Sequence, residues 1–208
     1  MSAEDRVRWD KIYRERNLKV YPPPDPLLFE MVPPPTSTDS RALDFTSGLG
    51  QNGLWLAAQG YHVDLMDISR VALSRARGEM AMRNLRNVNL LQGDVDDAVL
   101  DVERYEVVCV FRYLRREVLP ELRKTVTPGG RILYETYNPG YLAVVPGFNP
   151  DFLLHPGELA AAFAGWTILL DHDIEHISQF VAMKPLEADY VPPPAIIPPT
   201  DAGDQFKW

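Results

Sequence analysis

LDFTSGLGQNGLWLAAQGYHVDLMD, residues 43–67, decides how the chain is read. Together with the preceding Ala42 it opens on a short apolar run, Ala42-Leu43-Asp44-Phe45, too short for a helix and suited to a buried strand. Thr46-Ser47-Gly48-Leu49-Gly50 then forms a turn of small residues, and Gln51 to Gln59 has helical composition. Gly60 stands where a left-handed C-terminal cap is expected, and a second apolar run from Tyr61 to Met66 ends on Asp67. Strand, glycine turn, helix, strand and acid follow one another within a single βαβ unit.

Each part has a chemical use. Gly48 and Gly50 carry no Cβ, so a ligand can approach the backbone and the chain can turn sharply into the helix. The helix start offers unpaired N–H groups and partial positive charge. Asp67, 17 residues after Gly50 at the end of the second strand, is placed to accept hydrogen bonds from both hydroxyls of a ribose. The pattern therefore predicts a nucleoside cofactor. Gly48, Gly50 and Gly53 also satisfy the spacing of a dinucleotide fingerprint, so the glycines alone leave a nicotinamide cofactor open. Asp44, just before the loop, would repel a pyrophosphate and hold a cationic amino-acid group; no Tyr-x-x-x-Lys pair occurs in the chain. Both features favour S-adenosylmethionine, with S-adenosylhomocysteine as product.

D-F-T-S-G-L-G-Q-N resembles the first motif of class I S-adenosylmethionine-dependent methyltransferases, usually D-x-G-x-G-x-G. Its continuation through Leu54-Trp55-Leu56-Ala57-Ala58-Gln59-Gly60-Tyr61 is similar to the tellurite-resistance and thiopurine methyltransferase branch. The resemblance implies a Rossmann-like α/β fold with a seven-stranded, mostly parallel sheet, order 3-2-1-4-5-7-6, and helices on both faces. It implies cofactor contacts from Asp44, Thr46, Ser47, Gly48, Gly50 and Asn52, and from Asp67 and Ile68 after the second strand. Further contacts are implied for Asp94, Val95 and Phe111, with an N-terminal helix bringing Trp9 or Tyr13 over the cofactor. Thr46 and Ser47 depart from the usual glycine and small residue; a β-branched Thr46 narrows the loop. That departure motivates one alternative, a cofactor-binding protein without activity; the other is a nicotinamide-dependent oxidoreductase.

The 208 residues are expected to form one domain: a helical cap over 1–36, a core over 40–184 and a proline-rich tail over 185–208. With 46% hydrophobic residues and a mean hydropathy of −0.19, the chain reads as globular. No apolar run approaches the roughly 18–20 residues of a membrane span, and the charged N-terminus has no apolar signal region. Net charge of −8 gives no general basic field for nucleic acid. The single cysteine, Cys109, sits in an apolar run, read as a small buried hydrophobe in a cytoplasmic protein. The expected partner is a small-molecule acceptor, with no nucleic acid and no membrane, and the protein a monomer or homodimer.

Along the rest of the chain, residues 3–16 read as a helix on which Trp9 and Tyr13 share a face, either as packing or as a cover for the cofactor. Asp25 caps a short helix from Leu27 to Met31. Ser69 caps a helix to about Leu85, and Val88–Leu91 forms the third strand. Asp94, beyond it, is either an adenine partner or an ordinary loop acid. Tyr105–Phe111 should be the central fourth strand, leading into Arg112-Tyr113 beside the transferred methyl group. Arg112 either holds an anionic acceptor or makes a structural ion pair. Glu117–Thr125 reads as a helix closed by Pro128-Gly129-Gly130, with strand 131–137 ending on Tyr137 near the acceptor. Residues 139–150 read as a substrate loop, and a helix over 156–163 follows His155, a cap or a base. A hairpin of 166–170 and 177–183 has a polar link, 171–176, with no metal expected. Arg112, Tyr113 and Tyr137 are the candidate catalytic residues. In the absence of an indispensable general base, the acceptor is expected to be anionic or soft, a thiol or chalcogen species.

Overall fold

The apolar run around Asp44 becomes β1 (Arg41–Phe45), buried on both faces through Ala42, Leu43 and Phe45. In this computed structural model residues 3–17 and 19–186 are described; most of the proline-rich tail, including Phe206 and Trp208, lies outside them. The other strands are β2 (His62–Asp67), β3 (Val88–Gln92), β4 (Tyr105–Phe111), β5 (Val126–Tyr137), β6 (Thr167–Ile174) and β7 (Ile177–Met183). They form one sheet in the order β3-β2-β1-β4-β5-β7-β6, as expected. The first five run parallel, and β7 lies antiparallel between β5 and β6.

Alternation along the central strands assigns the two faces. Leu43, Val108, Val110, Ile132 and Tyr134 pack with residues of α5 (Leu119–Thr125) and α6 (Glu158–Ala162). Ala42, Val63, Leu65, Val107 and Cys109 pack on the other side with α2 (Pro26–Met31), α3 (Gln51–Ala58) and α4 (Arg70–Met82). Each of these core side chains is removed from water, worth roughly 1.5–3 kcal/mol for a large aliphatic group. Among the described residues no helix is long and apolar enough to cross a membrane.

The N-terminal segments are sewn to the core by side chains. From α1 (Ala3–Glu15), the Asp10 carboxylate accepts from Ser69 Oγ at 2.7 Å and from the Val71 N–H at 3.1 Å, docking α1 on the start of α4. Asp25 caps α2 by accepting from the Leu27 N–H, and its own N–H donates to Asn52 Oδ1 at 2.9 Å. The Tyr21 hydroxyl donates to the Leu49 carbonyl of the glycine loop.

Several boundaries differ from the sequence reading. Pro128-Gly129-Gly130 does not close a helix; it lies inside β5, where the register against β4 jumps from Tyr105↔Val126 to Val107↔Arg131. The extra residues are absorbed as a bulge, with Gly129 at φ 77°. β6 continues to Ile174, so only Glu175 and His176 link the hairpin. As an edge strand β6 is largely solvent-exposed, and Asp171, His172 and Asp173 extend it without cost to a core. Asn84, at φ 57°, lies just beyond the end of α4, which stops at Met82, short of Leu85. Residues 139–152 hold two short 3-10 turns, Pro139–Ala143 and Pro150–Phe152.

Gly53 on α3 shows why the third glycine is needed. A Cβ there would lie 2.1 Å from Leu65 Cδ2 and 3.0 Å from Asp44 Cβ. Helix and sheet touch through a position that admits no side chain. Gly53→Ala should therefore cost about 1–3 kcal/mol through forced repacking, despite the higher helix propensity of alanine. Denaturant unfolding reads this directly, and an unchanged midpoint would refute the close-packing argument.

Candidate active site

The carboxyl ends of β1, β2, β4 and β5 open onto a cavity of about 450 Å³. Its lining includes Asp44, Thr46, Ser47, Gly48 and Asn52 from β1, the glycine loop and α3. Asp67 and Ile68 come from the end of β2, and Trp9 and Tyr13 from α1. Phe111, Arg112, Tyr113 and Tyr137 close the other end. Of the sequence-predicted site residues, Gly50, Asp94 and Val95 stand outside this lining. Gly50 is the N-cap of α3 in the left-handed region, φ 76°. The Asp94 side chain accepts from the Asp96 N–H at 3.0 Å, capping a 3-10 turn, and Val95 is buried in the core.

The acids of the loop are held by backbone N–H groups. Asp44 Oδ2 accepts from Gly53 at 2.8 Å, and Asp67 from Gly48 at 2.8 Å and Ser69 at 2.7 Å. Burial pushes the Asp44 carboxyl up to about 7, with the charge of Asp67 adding to it; burial likewise raises Asp67. Two buried carboxyl groups thus flank the loop, a setting that favours a cationic ligand. Ser47 Oγ and Gln51 Oε1 are buried without a hydrogen-bond partner among the described residues, and both residues line the cavity. Buried polar atoms are ordinarily satisfied, so this pair points to a polar ligand.

α1 closes one side. Trp9 and Tyr13 stack with ring centroids 5.9 Å apart, and the Tyr13 hydroxyl sits 2.6 Å from where a Gly48 Cβ would be. Arg16, Leu49 and Gln51 also line the cavity and were not singled out from the sequence. Leu49 and Gln51 lie within the quoted stretch and were legible by position; Arg16 depends on how α1 docks.

The opposite end is built around Arg112. It occupies the left-handed region at φ 58°, its N–H donating to the Glu135 carbonyl at 2.7 Å. Its guanidinium donates to Glu135 Oε1 and lies 5.4 Å from the centre of the Tyr137 ring. Glu135 is buried and also accepts from Gln179 Nε2 at 2.5 Å. The structural ion pair is therefore present, and Arg112 still faces the cavity. Burial raises the Tyr113 and Tyr137 hydroxyls, Tyr113 further through its bond to Asp96. His155 and the 171–176 region lie elsewhere, at a smaller cavity; among the described residues no group of His, Cys, Asp and Glu could hold a metal ion.

Residues 42–130 match the methyltransferase domain family model. Over that stretch, which is less than half of the chain, the sequence is similar to a methyltransferase domain. Its cofactor is S-adenosylmethionine. Solved structures with the same architecture include the S-adenosylmethionine-dependent methyltransferase from Mesorhizobium loti, at 16% identity and TM-score 0.62, covering 76% of this chain and 96% of that one. TehB from Haemophilus influenzae gives 16% identity and TM-score 0.62, over 76% of this chain and 60% of that one. A protein from the conversion of a disulfide bond into a thioacetal group during echinomycin biosynthesis gives 19% identity and TM-score 0.69, over 88% and 93%. At these identities the likeness establishes the fold. Comparison with curated proteins finds no match.

Within the glycine loop Thr46 is a β-branched residue at φ 60°, with its hydroxyl bonded back to the Phe45 carbonyl. That backbone region is strained for such a residue. Thr46→Gly should raise stability by about 1 kcal/mol, the released strain exceeding the entropy cost of glycine, and should tighten S-adenosylhomocysteine binding. Thermal unfolding and calorimetry check both; a lowered midpoint would show that the threonine is accommodated without strain.

Proposed function

We propose that the protein transfers a methyl group to a small soft acceptor, a thiol or related chalcogen species, at the Arg112–Tyr113–Tyr137 end of the cavity. The observation that carries this is the chemistry of the lining. Among the described residues that end presents no histidine and no lining carboxylate, and its tyrosine hydroxyls are shifted away from ionisation. An alcohol or amine acceptor needs a positioned base; a soft sulfur nucleophile does not. The protein of the echinomycin thioacetal conversion, similar in fold, supports sulfur as the acceptor element. An anionic acceptor has less support, because the Arg112 charge is already met by Glu135.

When bound, the cofactor supplies a methyl group activated on a sulfonium. In the proposed arrangement Asp44 holds the amino group of its methionine part and Asp67 the ribose hydroxyls. Gly48 permits close backbone approach, Gly50 turns the chain into α3, and Asn52 and Ile68 border the same stretch. Ser47 and Gln51 take up polar atoms, and Trp9 and Tyr13 exclude water. Phe111 separates the two ends; Asp94, which caps a turn outside the lining, and Val95, buried in the core, are assigned no cofactor contact in this arrangement. Arg112, Tyr113 and Tyr137 hold the acceptor in line behind the methyl carbon. A thiol held there would take the methyl group from the sulfonium, the electron pair of the broken bond staying on the departing thioether and the thiol's proton passing to solvent.

Methyl transfer from labelled S-adenosylmethionine to a panel of thiols, alcohols and amines tests the acceptor class. Transfer to thiols is expected; transfer confined to alcohols or amines would overturn it. The Asp44 assignment carries a pH signature. A cationic amino group binds the ionised carboxylate, so below pH 7 binding must displace the Asp44 proton. Affinity for S-adenosylhomocysteine should then weaken toward tenfold per pH unit as pH falls below about 7. Asp44→Asn should bind more weakly with that dependence abolished; retained dependence would place the titrating group elsewhere.

A further inference from the structure

Glu135 and Asp25 are absent from the cavity lining yet determine its charge. Glu135 is the β5 residue two positions before Tyr137, and its side chain is 4% exposed. It takes the Arg112 guanidinium on Oε1 and the Gln179 amide on Oε2. Burial pushes the Asp25 carboxyl up to about 6, with the charge of Glu135 adding to it. Arg112 thus carries its positive charge against the Glu135 carboxyl that it is bonded to, with a second acid, Asp25, acting on the same pair. The only other lining cation among the described residues, Arg16, belongs to the opposite wall beside α1. A ligand arriving at the Arg112 end meets a guanidinium plane and a tyrosine ring but no net positive charge.

Resting on the soft-acceptor reading above, we infer that Glu135, with Asp25 behind it, is a specificity-determining residue that masks Arg112 and restricts the site to acceptors without negative charge. Masking leaves the planar guanidinium available for stacking and for hydrogen bonds to neutral oxygen or sulfur atoms, while a carboxylate-bearing acceptor has to displace Glu135 from a buried ion pair. The Asp25 N–H bond to Asn52 ties the same cluster to the cofactor side, so both ends of the cavity share one support.

The test uses 3-mercaptopropionate and its neutral amide, alike in shape and different in charge. Their dissociation constants are measured by NMR titration of the full protein saturated with S-adenosylhomocysteine, and their turnover with S-adenosylmethionine. The wild-type protein should favour the amide. Glu135→Gln, which keeps shape and the Gln179 contact, should shift the ratio of constants at least tenfold toward the acid. Asp25→Asn, which preserves the helix cap, should shift it the same way by less, and serves if Glu135→Gln fails to fold. A ratio unchanged within twofold in a folded variant, or a wild-type protein that favours the acid or binds neither probe, overturns the proposal. A shifted binding ratio without turnover of either thiol would sink the soft-acceptor reading and leave the masking intact; turnover with an unshifted ratio would do the reverse.

Discussion

The buried bond from the Gly53 N–H to the Asp44 carboxylate is the contact on which the rest of the structure depends. It fixes the first turns of α3 against the end of β1, and it is possible only because Gly53 brings no side chain between helix and sheet. A carboxylate buried at this depth is costly unless satisfied, so the bond stabilises the loop and at the same time keeps an acid at the floor of the cavity. Packing and cofactor chemistry meet in one residue.

From that point α1, α2 and Tyr21 act as a brace. Asp10, Tyr21 and Asp25 each reach across to the start of α4, to the loop carbonyl of Leu49 and to Asn52. These bonds close the cavity on the α1 side and set how near Tyr13 comes to Gly48. The far end is organised by a different contact, the Arg112–Glu135 pair, which holds an arginine in a left-handed conformation at the tip of β4. One end of the cavity is lined by the buried acids Asp44 and Asp67; at the other the Arg112 guanidinium is paired with Glu135.

Much of this was legible in the sequence because it is local. The glycine turn, Asp44, Asp67 and the strand pattern repeat short-range rules, and the order of the seven strands follows once the βαβ unit is recognised. What escaped reading depends on contacts far apart in the chain. Glu135 is one of several polar residues in an alternating strand, and only the fold brings it to Arg112, 23 positions earlier. Asp25 reads as a helix cap, which it is, and the effect of Glu135 on it comes from a residue in β5, four strands further along the chain than β1. Pro128-Gly129-Gly130 has the composition of a turn and becomes a bulge because β4 remains available for pairing beyond it. The polar 171–174 segment extends an edge strand, where polarity places no limit on length.

The central claim is that the cavity between Asp44 and Arg112 is an S-adenosylmethionine site. Calorimetric titration of the purified protein with S-adenosylmethionine, S-adenosylhomocysteine and NADH at pH 8 tests it most directly. Saturable, one-to-one binding of both adenosyl ligands and no heat from NADH are expected. Binding of NADH alone, or no binding of either adenosyl ligand, would contradict it.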